Sequence, residues 1–433
     1  MLDLLVTGAV PPEGGGPVDI AVKDGRIAEI APRIEARAAR TIDAGGNLAT
    51  PPFVDPHFHM DATLSLGLPR MNESGTLLEG IRIWGELKPG LTPEAVKARA
   101  LELLDWSVAR GTLAVRTHVD VTDPALMAVD VLLEVREQMR GLVDIQLVAF
   151  PQDGLLRAPG GKELLVRALD KGVDVVGGIP HFERTEEDGR HSVRWLCELA
   201  AERGLLVDMH CDETDDPASR HVETLARETT RLGLEGRVTG SHLTSMHSMD
   251  NYYVSKLLPL MAEARLHAVC NPLINIHLMG RHDTYPKRRG LTRVPELLAA
   301  GVNVAFGHDC VMDPWYPLGS HDMLEVAHMG AHCLQMMGTT GLGRCFEAVT
   351  HGGARALGLA DYGLAPGRAA DFVILQARNP VEAIRLRPAR LFVVRRGQVV
   401  ATTPPVRATL TPDGQPPREV DFTPRRGPGC ERP

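Results

Sequence analysis

Two histidines on alternate residues, His57 and His59, stand in the stretch FVDPHFHMDA. Alternate residues of a strand project to one face, so the two imidazoles sit side by side and invite a shared divalent cation. Further along come His210-Cys211-Asp212-Glu213, Ser241-His242 and Gly307-His308-Asp309. His57, His59, His210 and Asp309 offer three nitrogens and one hard oxygen, a set suited to one Zn2+ or Fe2+ with room for a water. Such a cation would bring the pKa of that water from about 15.7 to about 7, making hydroxide available at neutral pH. Glu213, just past His210, is placed to shuttle protons rather than to ligate. His242 can hydrogen-bond the hydroxide or a developing oxyanion. A single histidine at a strand end is more often a satisfied polar group than a ligand, and His118, His181 and His308 are read that way. Asp212, Asp215 and Asp216 read as solvated loop carboxylates or helix caps.

These residues need elements to bring them together, and the middle of the chain supplies them. Apolar strands at Leu113–Val119, Ile145–Phe150, Val175–Ile179, Leu206–His210, Val238–His242, His267–Cys270 and Val302–Gly307 alternate with amphipathic helices, and one more strand precedes His57. Helices are read at Val96–Arg110, Val193–Arg203, Ala218–Leu232, Tyr253–Ala264 and Val294–Ala300. Asp123-Pro124 reads as an N-cap and first-turn proline of a helix running to about Arg140. Continuous apolar strands between such helices mean a parallel sheet covered on both faces. Eight repeats over this length fit an α/β TIM (β/α)8 barrel, residues 51–359. Chemistry in that fold sits at the C-terminal strand ends, where the histidines and carboxylates fall. Met71–Gly90, with Ser74, Leu77, Ile81 and Trp84 at helical spacing, predicts a short helix over the barrel mouth.

Both ends of the chain are strand-rich. VDIAVKDGRIAEIAP carries an Asp-Gly hairpin signal, and DYGLAPGRAADFVIL and LFVVRRGQVVATTP are punctuated by glycine. Residues 1–50 and 360–433 are expected to form one small β-sandwich-like domain, with part of the Pro- and Arg-rich tail from Pro404 loosely ordered. The 433 residues carry 47 basic and 55 acidic side chains. That mild acidic balance argues against nucleic acid as a partner. No apolar run is long enough for a bilayer, and the first residues lack the layout of a secretory signal. Seven scattered cysteines argue against a disulfide framework, so a cytoplasmic setting is expected.

FVDPHFHMDAT, RTHVDV, VAFPQDG, PHFERT, HCDETDD, HLTSMHS, NPLINIHLMGRHDTYPKRRG, FGHDCVMDPWYPLG and GLAPGRAADFVIL together resemble, in order from about Leu4 to Thr402, the bacterial cytosine deaminases of the amidohydrolase superfamily. The resemblance implies one Fe2+ or Zn2+ on His57, His59, His210 and Asp309, Glu213 as general acid/base and His242 as orienter of the water. It further implies Gln152 on the amide edge of the pyrimidine, the backbone around Leu77 assisting, and Trp315 as a wall for the ring. Dinuclear members of the superfamily use a modified lysine on strand four; VDVVGGIPHFE has none, so one metal is expected. The implied reaction adds hydroxide at the carbon bearing the exocyclic amine, with ammonia leaving. The partners are then a free pyrimidine base and water, with no nucleic acid and no membrane, and a homo-oligomer is expected.

One position departs from the family pattern. Two consecutive aspartates are expected where this chain has Asp309-Cys310. In the family that second carboxylate lies beside C5 of the pyrimidine. A thiol there is small and uncharged and should admit a methyl group, which points to 5-methylcytosine beside cytosine. The alternatives are a relative acting on isocytosine, a purine or a triazine, and a scaffold that has lost catalysis. A scaffold would be expected to lose ligands first, and every ligand is present.

Overall fold

The structure, a computed structural model, describes residues 1–420 and Phe422. Eight parallel strands pair strictly in chain order: Phe53–Phe58, Thr112–Asp120, Asp144–Phe150, Val175–Gly178, Leu206–Cys211, Val238–His242, His267–Cys270 and Asn303–Phe306. Nearly every residue in them is buried, as a sheet covered on both faces requires. The ring closes where the first strand meets the segment after the eighth. His59 N–H donates to the Asp309 carbonyl at 3.0 Å and Asp309 N–H to the His57 carbonyl at 2.9 Å. The architecture is a TIM (β/α)8 barrel.

Asp55 secures that seam. Its Oδ1 accepts from His57 N–H and His308 N–H, both at 3.1 Å. Its Oδ2 lies 2.8 Å from His321 Nε2, and His321 Nδ1 meets the Ser107 hydroxyl. All three side chains are buried, so one carboxylate holds two ligand-bearing segments in fixed register.

A helix does lie over the mouth, at Leu77–Leu87, with the Thr76 hydroxyl accepting from Glu79 N–H as its N-cap. Ser74 falls before it, in the loop that the cap requires. Gly80, Ile83 and Trp84 form its buried face. Trp84 Nε1 donates to Asp120 Oδ2 at 2.8 Å, and Lys88 Nζ reaches Asp120 at 2.9 Å and Asp153 at 2.8 Å. The helix is thereby tied to the ends of strands two and three. A Cβ on Gly80 would overlap the Trp315 indole, so only glycine lets it settle this low.

Two readings are corrected. Asp123-Pro124 is a turn, not a helix start: the Asp123 carboxylate accepts from Ala125 and Met127 N–H. The chain then passes through left-handed Leu126 (φ 54°) into the helix Met127–Met139. The tail after Pro404 contains a further short hairpin, Ala408–Leu410 against Arg418–Val420. The expectation of loose order for residue 421 and for 423–433 lies outside the described residues.

The terminal segments form small sheets. Leu2–Ala9, Val18–Lys23, Arg26–Ala31 and Ala38–Asp43 make one; Leu48–Thr50 joins Phe372–Leu375, Arg390–Arg395 and Gln398–Thr402 in another. Asp24 (φ 51°) and Gly25 (φ 71°) are both left-handed, the turn that Asp-Gly favours in a two-residue hairpin. Leu4, Val6, Ile20 and Val22 share one apolar core with Phe372, Ile374 and Val394. No helix among the described residues is long and apolar enough to cross a membrane.

Candidate metal centre and active site

Parallel pairing in chain order carries the C-terminal ends of all eight strands to one rim, and the side chains at those ends converge. Asp309 Oδ1 lies 3.4 Å from His57 Nε2 and 3.4 Å from His59 Nε2. His59 Nε2 and His210 Nε2 are 3.0 Å apart. Atoms about 2.1 Å from one cation stand about 3.0 to 3.4 Å apart for right-angled to tetrahedral arrangements. These three distances among the four side chains named from the sequence are of that size, and His57, His210, His242 and Asp309 form one group that could hold a metal ion. Both ring nitrogens of His57 and Nδ1 of His210 are buried with no hydrogen-bond partner, a cost to the protein unless something else occupies them. Burial and mutual repulsion lower the pKa of His57 and His210 well below the ordinary value, and that of His59 to about 4. The imidazoles are thus neutral and free to ligate.

Beside this group stand Glu213 and His242. Glu213 Oε1 is 3.1 Å from His242 Nδ1 and accepts from Asn275 Nδ2 at 3.1 Å. Asn275 Nδ2 also lies 3.1 Å from His242 Nδ1, and His242 Nε2 is 3.8 Å from Asp309 Oδ2. Burial, then the charge of Asp309, pushes the Glu213 carboxyl well above the usual range. A carboxyl raised in this way holds a proton more readily than an exposed one, as a group that takes and returns protons must. Asn275 was not singled out in the sequence. Its signal is the four-residue step from Asn271 in NPLIN, which puts both amides against His242 from one short helix, Pro272–Leu278.

A narrow cavity, with about 30 Å3 of room for the centres of water-sized molecules, opens onto these groups. Gln152, Leu77, Cys310 and Trp315 all line it, as do Ile81 from the covering helix and Ile274. Cys310 is 3% exposed, and burial pushes its thiol well above the ordinary pKa, so it stays uncharged. Asp313, behind it, accepts from the backbone N–H of Trp315 at 2.9 Å and of Tyr316 at 3.0 Å, and so aims the Trp315 wall.

Two histidines discounted in the sequence stand at or beside the cavity. His181 lines the cavity and His118 stands against His57, with ring centroids 4.1 Å apart. The Phe58 backbone approaches the His118 ring and the His210 backbone the His181 ring. The signal for His118 lies in RTHVD: Arg116, His118 and Asp120 alternate with apolar or small residues, a polar stripe on one strand face. His308, by contrast, donates Nδ1–H to the Cys310 carbonyl at 2.9 Å. Asp212 is a buried cap rather than a solvated carboxylate, accepting from His221 and Val222 N–H.

A profile of the Amidohydrolase family matches residues 40–410. N-isopropylammelide isopropyl amidohydrolase of Pseudomonas sp. (strain ADP) is 31% identical over 408 residues, 92% of this chain and 97% of that protein. Pterin deaminase of Rhizobium rhizogenes is 30% identical over 394 residues, 90% of this chain and 89% of that one. Among solved structures, 5-methylcytosine deaminase from Klebsiella pneumoniae, liganded with phosphonocytosine, superimposes with a TM-score of 0.90 at 46% identity, covering 92% of this chain and 98% of that one. With its barrel, its His/Asp group at the C-terminal rim and these relatives, the chain belongs to the amidohydrolase family, whose members are metal-dependent hydrolases.

Proposed function

We propose that the protein hydrolytically deaminates a free pyrimidine base, turning cytosine or 5-methylcytosine into uracil or thymine plus ammonia. The observation that carries this reading is the fully buried Glu213 carboxyl. It is raised in pKa and set against His242, in the cavity that Gln152 and Trp315 also line. His57, His59, His210 and Asp309 would hold one Fe2+ or Zn2+, whose Lewis acidity readies a water for attack at neutral pH. Gln152 offers an amide donor and acceptor to the edge of the base away from the reacting carbon, with the backbone at Leu77 beside it. Trp315 packs the ring. Glu213 takes a proton from the attacking water and delivers it to the adjacent ring nitrogen. His242 donates to the oxygen as negative charge develops there. With C4 carrying both oxygen and amine, a second proton transferred through Glu213 lets the C4–N bond break. Ammonia leaves and a carbonyl remains.

Cys310 supports the 5-methyl preference. A buried, uncharged thiol leaves apolar room where a carboxylate would repel a methyl group. Burying that methyl is worth about 0.8 kcal/mol, and pockets discriminate at this scale by about 1–3 kcal/mol. The Klebsiella pneumoniae relative, also solved with 5-fluorocytosine, lends weight to a base substituted at C5. A second reading, an amino-triazine or pterin substrate, is favoured by the names of the relatives at 31% and 30% identity.

Ammonia release from cytosine, 5-methylcytosine, isocytosine, an aminotriazine and a pterin decides between them. The expected result is kcat/KM highest for 5-methylcytosine or cytosine. In Cys310→Asp the ratio of 5-methylcytosine to cytosine should fall by about 5- to 150-fold. Turnover confined to the triazine or pterin overturns the pyrimidine reading, and an unchanged ratio in Cys310→Asp overturns the role of the thiol.

A further inference from the structure

Asn275 takes no step in the reaction just described, yet its amide stands against the two groups that exchange protons there. Its Nδ2 donates to Glu213 Oε1 at 3.1 Å and lies 3.1 Å from His242 Nδ1, and those two atoms are themselves 3.1 Å apart. Asn271, one helical turn back, sets its amide nitrogen 3.3 Å from His242 Nδ1 and 3.4 Å from Nε2. It packs across the ring and does not choose between the two nitrogens. The Asn271, Asn275 and His242 side chains are all buried. His242 is also held left-handed, at φ 71°, a strain that a residue other than glycine seldom keeps without a task.

A neutral imidazole carries one proton, so one of its nitrogens donates and the other accepts. A carboxylate beside such a ring commonly takes Nδ1–H, which leaves the Nε2 lone pair for a metal ion. With Glu213 as its only neighbour His242 would follow that pattern, and it does fall in one group with His57, His210 and Asp309. Asn275 reverses the balance. Its amide nitrogen only donates, so a proton on Nδ1 would face a second donor, and both would compete for the single oxygen Oε1. A bare Nδ1 instead accepts from its surroundings, and the Glu213 carboxyl, raised by burial, has a proton to offer it. The ring proton then sits on Nε2, on the side of Asp309 Oδ2, which lies 3.8 Å away.

We propose that Asn275 is a positioning residue for His242: its amide keeps Nδ1 bare, so the ring carries its proton on Nε2, donates it to the attacking oxygen and stays out of the coordination shell. The inference deepens the deaminase reading. Only the identity of the oxygen that accepts from Nε2–H rests on that reading, because the tautomer can be read without substrate.

The test uses the full chain with isotopically labelled histidine, loaded with Zn2+, as wild type and as Asn275→Leu, which keeps the shape of the side chain and removes its donor. Asn275→Ala takes its place should the leucine variant not fold. Long-range proton–nitrogen spectra show which ring nitrogen bears the proton, with the His242 signals assigned by their loss in His242→Gln. The wild type should carry it on Nε2, and the Asn275 variant on Nδ1, donated to Glu213. In that variant kcat for 5-methylcytosine or cytosine should fall about 10- to 100-fold, with KM and bound zinc unchanged. A wild type protonated on Nδ1 overturns the proposal. One tautomer shared by wild type and variant overturns the part given to Asn275. A wild type protonated on Nε2 that deaminates none of the bases, with the tautomer reversed in the variant, upholds the positioning by Asn275 and removes the deaminase reading instead.

Discussion

Asp313→Asn isolates one buried carboxyl and lets its ionisation be read as stability. Asp313 is 1% exposed; Oδ1 serves the Trp315 and Tyr316 N–H groups, while Oδ2 lies beside the Cys310 thiol with no hydrogen-bond partner of normal geometry. Burial pushes its pKa from the ordinary 3.8 to about 7. Because the native value is the higher one, the native state holds this proton more tightly than the unfolded chain does. Below about pH 3.8 both states are protonated and the group is neutral to stability. As pH rises towards 7 the unfolded chain gives up its proton first, and the native state loses relative stability; beyond about 7 the loss is constant. The gap between 3.8 and about 7, at about 1.4 kcal/mol per pH unit, makes that loss about 4 kcal/mol at most. Asparagine keeps the acceptor for both N–H groups and cannot ionise. Urea unfolding of both proteins, saturated with the same cation, should give equal midpoints near pH 4 and a variant more stable by about 2–4 kcal/mol at pH 8. A difference that stays flat from pH 4.5 to 8 would show that Asp313 ionises normally in the native protein and refute the argument.

Glu213→Gln should lower kcat by about 100- to 10,000-fold while bound metal, measured on the same samples, stays at the wild-type level. Gly80→Ala places a methyl group in the Trp315 indole, so the covering helix must lift; KM is expected to rise, and proteolysis at Leu77–Leu87 to quicken. Stopped-flow binding and limited digestion check this, and wild-type values in both would contradict the packing. Asp55→Asn can still accept from the two backbone N–H groups, but it loses the charged contact to His321. Cation affinity by chelator competition should fall about 10- to 100-fold; no change would mean that the seam does not depend on that carboxylate.

The barrel and the gathering of His57, His59, His210 and Asp309 at one rim were legible because both rest on strict periodicities. Buried parallel strands read as short apolar runs, and side chains that alternate along a strand leave a trace such as His57-Phe58-His59. Glu213 was legible by its offset from His210. Asn275 and His181 were not, because an asparagine or a lone histidine has no spacing rule to set it apart, and only the folded chain shows that its polar atoms are turned inward. The error at Asp123-Pro124 has a similar source: aspartate followed by proline opens a helix or makes a turn with equal ease. Left-handed Leu126, which decides the matter, leaves no mark in composition. That the two ends come together was read from their shared strand character; that Leu48–Thr50 is the strand that pairs with Phe372–Leu375, more than three hundred residues away, leaves no local pattern.

The two main-chain hydrogen bonds that join His59, Asp309 and His57 carry one more implication. The protein has fused its circumference to its candidate metal centre: the last stitch in the cylinder is sewn through His57, His59 and Asp309. Inserting or deleting a single residue on either side would turn a ligand outward and unpick the ring at once. Loops around the mouth carry no such double duty, so new substrates can be sampled there while the hub stays fixed.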